Sequence, residues 1–213
     1  MAVTKGNCYL CGKEIGKTAM KNHLLKNHAD SSGEQKSYLL KAEGRYNKNY
    51  WIYFDVPVST NLETVDKFLR RIWLECCGHM SAFSFGDHND IRVSTKLYNF
   101  EEGTQLLHEY DFGSTTETIV TFVAKTTRPS QKNPVRLLAR NVPPEFLCCE
   151  CGKPADYIDM EAVYEVENPF YCEECADEEG EFLMPITNSP RMGVCGYTGE
   201  LDCFSFIKPE LLE

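Results

Sequence analysis

Apolar positions recur along this chain with two different periods. In "YWIYFDVPVS", Ile52, Phe54, Val56 and Val58 alternate with their neighbours, so they share one face of a predicted strand. Directly after it, Val65, Phe68, Leu69, Ile72 and Cys76 recur at helical spacing, with Trp73 beside them. Thr60 and Glu63 fit a capping box at the start of that helix, and Gly78 fits its end. Three further runs, "SAFSFG", "DIRVSTKLY" and "ETIVTFVAK", read as short strands. One helix among several strands predicts an α+β fold, a mostly antiparallel sheet covered by a helix. The core expected on this pattern is Phe83, Phe85, Ile91, Val93, Leu97, Ile119, Val120, Phe122 and Val123.

The pattern weakens on either side of this body. "DSSGEQKS", residues 30–37, is polar and turn-rich and reads as a linker. "RPSQKNPVRLLARNVPPEF" has four prolines and little periodicity, and reads as a connector. The chain therefore divides into a small module at 1–30, an α+β domain at 50–127, and a third module at 147–213.

Composition agrees with folded protein: 42% hydrophobic and 12% aromatic in 213 residues. No apolar run approaches the roughly 18 residues that cross a bilayer, so no membrane partner is expected. The opening "MAVTKGNCYLCGKE" has no apolar signal region. Both points predict a chain that stays in the reducing cytoplasm, where paired cysteines hold metal rather than form disulfides.

Charge is unevenly spread. Residues 1–50 carry a net +5, residues 51–147 a net −2, and residues 148–213 a net −13, within a total of −10. Such an acidic tail repels phosphates, so the whole chain is not a nucleic-acid coat. Residues 1–50 alone have the charge for a phosphate backbone.

The two flanking modules carry the candidate chemistry. Cys8 and Cys11 stand two residues apart, and His23 and His28 follow on a short predicted helix. Two thiolates and two imidazoles complete a zinc tetrahedron with no open position. The spacing resembles the two-Cys two-His zinc finger over about 25 residues, with Ile15 and Met20 in place of the usual core residues. Lys17, Lys21, Asn22 and Lys26 on its helix read either as a solvated basic face or as phosphate contacts.

In the last third, Cys148 and Cys151 pair with Cys172 and Cys175 across a gap of 20 residues, within zinc-ribbon range. Four thiolates again make a closed structural site. Cys149 is an ambiguous neighbour of Cys148. Cys195, followed by glycine, lies near this site or is a buried small apolar residue, and Cys203 reads as a buried small apolar residue. Cys76 and Cys77 are expected to face the core. The expected cofactor is therefore zinc, as two structural ions.

No catalytic motif emerges from the sequence. "HLLKNH" lacks the glutamate of a zinc-protease helix, and there is no phosphate-binding glycine loop and no Gly-x-Ser-x-Gly. His79, His88, Asp87, Asp90 and Asp111 would bind a third ion only if folding gathered them. Loop and turn roles are the ordinary reading of such residues.

The stretches "YWIYFDVPVSTNLETVDKFLRRIWL", "HMSAFSFGD" and "EYDFGSTTETI" resemble the plasmid pRiA ORF-three-like domain family, found also as a passenger in transposable elements. The resemblance spans residues about 50–125. It implies an α+β fold and a bacterial cytoplasmic origin, without an established activity. "YDFG" at Tyr110–Gly113 is its most specific motif. Beyond it, Ser114, Thr116 and Thr118 stand where the family commonly has Asp, Trp and His. A family centre built on that Asp and His would be lacking here.

Three readings follow. One is a non-enzymatic zinc adaptor or regulator acting on a protein partner. The second is a nucleic-acid-binding accessory protein that uses residues 1–50, linked to a mobile element. The third is an enzyme with its site near Tyr110–Gly113.

Overall fold

The computed structural model describes residues 4–28, 33–86, 89–179 and 182–201. Asp87, His88 and Cys203 lie outside the described residues. The fold is α+β. Nine strands form one sheet: β1 (Lys5–Cys8), β2 (Glu14–Gly16), β3 (Gln35–Gly44), β4 (Trp51–Pro57), β5 (Ser81–Ser84), β6 (Asp90–Ile91), β7 (Gln105–Tyr110), β8 (Thr116–Arg128) and β9 (Arg136–Asn141). Their spatial order is β2-β1-β9-β4-β3-β8-β7-β5-β6, and every neighbouring pair is antiparallel.

Strand alternation sorts the central residues onto two faces. Tyr38, Leu40, Ala42, Ile52, Phe54, Val56, Val120, Phe122 and Leu137 pack under a helix, α2 (Leu62–Leu69). Leu39, Trp51, Tyr53, Leu138 and Ala139 face the other way and pack against a second helix, α1 (Lys17–Asn27), through Met20 and Leu24. A sheet buried on both faces explains why all seven residues of β4 are buried.

α2 is capped by Asn61, whose side-chain oxygen accepts from the Thr64 N–H at 3.3 Å. The expected Thr60 cap does not form, because the Thr60 hydroxyl donates to the Pro57 carbonyl at 2.7 Å. After Leu69 the helix widens into a π turn over Arg70–Leu74. The wider turn sends Ile72, Trp73 and Leu74 all into the core, each 0% exposed. It also ends before Cys76 and Cys77, which consequently leave the helix. Cys76 is half-buried and still packs against the core, as expected, whereas Cys77 is exposed.

Other expectations change for similar local reasons. Of the polar run at 30–37, residues 30–32 lie outside the described residues, and β3 begins within the run at Gln35, which pairs with Arg128. The proline-rich connector contains β9, a fully buried strand between β1 and β4. Its periodicity is hidden because it is covered on both sides and a bulge shifts its register against β4 between Tyr53 and Phe54. Of the predicted core, Phe83, Leu97, Val120 and Phe122 are buried. Ile91 is half-buried and packs on the α2-side core, while Val123 is half-buried on the α1 side. Ile119 is also only half-buried. Phe85, beyond the last paired residue of β5, and Val93, in a turn, are exposed.

A buried charge sits in the middle of the sheet. Asp55 on β4 accepts from Arg128 at 2.6 Å and from Arg136 at 2.5 Å, and all three residues are buried. Arg128 also donates to the Pro134 carbonyl at 2.7 Å, so the pair of guanidiniums locks the β8–β9 connection onto β4.

The last part of the chain forms a separate three-stranded sheet, β10 (Tyr157–Asp159), β11 (Phe170–Tyr171) and β12 (Leu183–Pro185), in the order β11-β10-β12. A short helix, α3 (Glu173–Glu179), follows β11. Residues 188–201 then return to the large sheet and cross one end of it. Asn188 and Asn141 exchange side-chain bonds, Ser189 donates to the Trp73 carbonyl at 2.5 Å, and the Leu201 N–H donates to the Arg71 carbonyl at 3.0 Å.

Gly6 shows how closely β1 is fitted to the sheet. A Cβ built there would lie 2.4 Å from both the Arg140 carbonyl oxygen and the Trp51 ring. Gly6→Ala should therefore destabilise the whole protein by about 1–3 kcal/mol, read as a lower denaturant midpoint. An unchanged midpoint would mean that β1 is not seated on β9.

Candidate metal centres

Among the described residues, three groups of four Cys/His side chains each bring their donor atoms within 4.8 Å of one another. A zinc tetrahedron with Zn–S bonds of about 2.3 Å has edges of about 3.8 Å, so these groups are of the right size for one ion apiece. The ten described cysteines form no disulfide.

The amino-terminal group is Cys8, Cys11, His23 and His28, the four residues expected from spacing. β1 ends at Cys8, and the chain then makes a tight turn in which the Gly12 N–H donates to the Cys8 carbonyl at 2.8 Å and the Cys8 N–H to the Lys13 carbonyl at 2.9 Å. Gly12 has φ +71°, a conformation that costs glycine little. α1 supplies His23 and, just past its end, His28. The Cys11 sulfur lies 3.4 Å from His23 Nε2, which lies 3.1 Å from His28 Nε2. Burial pushes both imidazoles below the usual histidine value, with neighbouring cations helping, and so favours the neutral form that binds metal. Burial also pushes the Cys8 thiol up. A cation among the donors would offset that cost.

The carboxy-terminal group is Cys148, Cys151, Cys172 and Cys175, again as expected. Its first turn repeats the amino-terminal one: Gly152 has φ +70°, the Gly152 N–H donates to the Cys148 carbonyl at 3.0 Å, and the Cys148 N–H to the Lys153 carbonyl at 2.8 Å. The shared "CGK" after each first pair is therefore one structural device used twice. Cys151 and Cys172 sulfurs stand 3.5 Å apart. The Cys151 backbone N–H, aided by those of Cys172 and Glu150, holds the Cys148 thiol down to about 6, against the opposing effect of desolvation. Cys149 is excluded from the group. Its side chain is exposed, and its N–H is engaged by the Phe170 carbonyl at 2.8 Å.

The third group, Cys76, Cys77, His79 and Cys195, joins residues far apart in sequence and has no spacing signature. Cys195 comes to the body rather than to the carboxy-terminal group. Of the dispersed residues, Asp87 and His88 lie outside the described residues; among the described ones His79 enters a group, Asp90 is an exposed strand residue, and Asp111 stands behind His79 at 3.5 Å. The signal that could have revealed this group was the unusual adjacency of Cys76 and Cys77 with a histidine two residues on.

No protein-family profile and no curated protein matches the chain. Among solved structures, a protein of unknown function from Methanosarcina mazei Go1 is similar. It shares 16% identity, covers 56% of this chain and 76% of its own length, and superposes with a TM-score of 0.44. No described helix is long and apolar enough to cross a membrane.

The Cys148 and Cys149 assignments are separable by mutation. Cys148→Ala should remove one metal equivalent from the purified chain, whereas Cys149→Ala should leave the metal content unchanged, both measured by elemental analysis. Equal losses would place Cys149 in the shell.

Proposed function

We propose that this protein is a non-enzymatic zinc-binding adaptor or regulatory protein whose terminal ions are structural. The observation that carries the reading is closure. At each end of the chain four protein donors stand within 4.8 Å of one another, enough to fill a tetrahedron. A zinc with four protein ligands has no position for an activated water or a substrate oxygen. Its contribution is folding free energy to segments with little apolar area of their own. The resemblance of residues 50–125 to the plasmid pRiA ORF-three-like domain belongs to the same reading, as does a cytoplasmic site of action. The partner is then met by surface. Met80, Phe85 and Phe112 are large apolar side chains 53–70% exposed, on or beside the turns that border β5 and β7.

X-ray absorption at the zinc edge tests the claim on the full chain. Only sulfur and nitrogen neighbours are expected. An oxygen ligand in the shell would replace the structural reading with a catalytic one.

A second reading, nucleic-acid binding through residues 1–50, rests on Lys13, Lys21 and Lys26, which are exposed around the amino-terminal group. Lys17 does not contribute, because it pairs with Glu43 at 2.7 Å and donates to the Lys48 carbonyl at 2.6 Å. Phosphate contacts by a few lysines would give binding that falls steeply with added salt in a gel-shift titration. No binding to duplex or single strands at low salt removes this reading.

A further inference from the structure

The group at Cys76, Cys77, His79 and Cys195 is placed where residues 188–201 cross the end of the large sheet. The Cys77 and Cys195 sulfurs are 3.7 Å apart, and His79 Nε2 lies 3.0 Å from the first and 3.3 Å from the second. The Cys76 sulfur is 3.5 Å from that of Cys77. We propose that these four side chains bind a third zinc ion in a closed three-Cys one-His shell, and that this ion clamps the returning carboxy-terminal segment onto the sheet.

Three independent features around the group support an ion. The first is the orientation of His79. Its Nε2 faces the sulfurs while Nδ1 faces Asp111 Oδ1 at 3.5 Å. A carboxylate behind a histidine in this way fixes the ring and its tautomer and makes the far nitrogen a better ligand.

The second feature is backbone conformation. Among the described residues, two that are not glycine have positive φ, Asp111 at 65° and Cys195 at 50°. One is a ligand in this group and the other orients a ligand. L residues in this region are uncommon, and such strain gathers where a site demands a particular aim. Asp111 is held there from two directions: Oδ1 accepts from the Gly113 N–H at 3.0 Å, and Oδ2 from Arg191 at 2.8 Å.

The third feature is charge. Three thiolates, one neutral imidazole and Zn²⁺ leave a net charge of −1. Arg191 is 0% exposed and donates to the Cys76 sulfur at 3.4 Å. Its guanidinium therefore balances both the Asp111 carboxylate and the shell.

The arrangement also gives "YDFG" a task. Tyr110 at the end of β7 donates to Glu75 at 2.9 Å and lies beneath the Arg191 guanidinium, 4.8 Å from ring centre to carbon. Glu75 accepts the Gly78 N–H at 2.6 Å, which shapes the Cys76–His79 turn. Tyr110 and Asp111 are thus positioning residues for this centre.

Native mass spectrometry of the full chain, prepared with zinc and without chelator, tests the proposal. The wild type should carry three zinc ions, one for each group. Cys195→Ser and His79→Ala should each carry one fewer, and His79→Cys, which keeps a donor, should retain all of them. Two zinc ions on the wild type would overturn the proposal. So would a Cys77–Cys195 disulfide, located by peptide mapping in a chain two hydrogens lighter than the reduced mass. A full complement on Cys195→Ser would overturn it as well. If Cys195→Ser does not fold, the wild-type count and His79→Cys still decide. Failure of the terminal sites is distinguishable, since Cys8→Ala and Cys151→Ala report on different ions.

Discussion

Four electron-rich donors gathered within 4.8 Å repel one another unless a cation sits among them, and this protein makes that arrangement three times. Burial raises the Cys8 thiol, and neighbouring thiols raise Cys77 and Cys175. A divalent ion turns each repulsive cluster into an attractive one and releases protons as it binds. What makes this central is where the clusters sit. The first lies at the opening hairpin, the second beside the small three-stranded sheet, and the third where residues 188–201 cross the sheet end.

The opening hairpin is more deeply joined than an isolated finger would be. β1 pairs with β9, so the cysteine-bearing strand is also the eighth strand of the sheet in spatial order from β6. Met20 and Leu24 are spent on the sheet face formed by Leu39, Trp51, Tyr53 and Leu138. The Trp51 indole N–H donates to Thr4 at 3.1 Å, and the Trp51 backbone N–H to the Asn141 side chain at 3.0 Å. Cys8 belongs both to the candidate metal group and to the sheet, where it pairs with Ala139. Only the outer face of α1, with Lys21 and Lys26, remains for any ligand, and that face is narrow compared with a free recognition helix.

Legibility followed the range of the interactions. The strand at Ile52–Val58 and the helix from Val65 were readable because each buries one face with a local period. The two terminal groups were readable because a Cys-x-x-Cys turn is a local geometry with a fixed spacing. β9 was missed because burial on both faces removes alternation and the flanking prolines suggested a loop. The capping residue was misplaced by one position because Thr60 and Asn61 both suit the role, and only the Thr60 bond to Pro57 decides between them. In the group at Cys76, Cys77, His79 and Cys195, three donors are local, but no local spacing links them to Cys195. The group depends on a π turn that releases Cys76 and Cys77 from the helix and on a return of the chain over 116 residues.

That return explains the arrangement of the remaining charges at the sheet end. The ends of β3, β7 and β9 and the starts of β4, β5 and β8 all lie at one edge in an antiparallel sheet of this order. Their terminal backbone groups need partners once residues 188–201 exclude water from them. The segment answers with side chains suited to the task. Asn188 satisfies Asn141, Ser189 satisfies the Trp73 carbonyl, and Arg191 reaches the Ser114 carbonyl and Thr116 as well as Asp111. Arg140 then ties Glu200 at 3.2 Å. A buried arginine serving four acceptors is tolerable only if its position is fixed, because a displaced guanidinium would leave those acceptors unpaired. Cys195 lies four residues beyond Arg191, so anchoring its sulfur to Cys77 and His79 limits that displacement. The polar network around Arg191 and the sulfur cluster at Cys195 thus meet on one short segment, and an ion held by that cluster would reinforce the network.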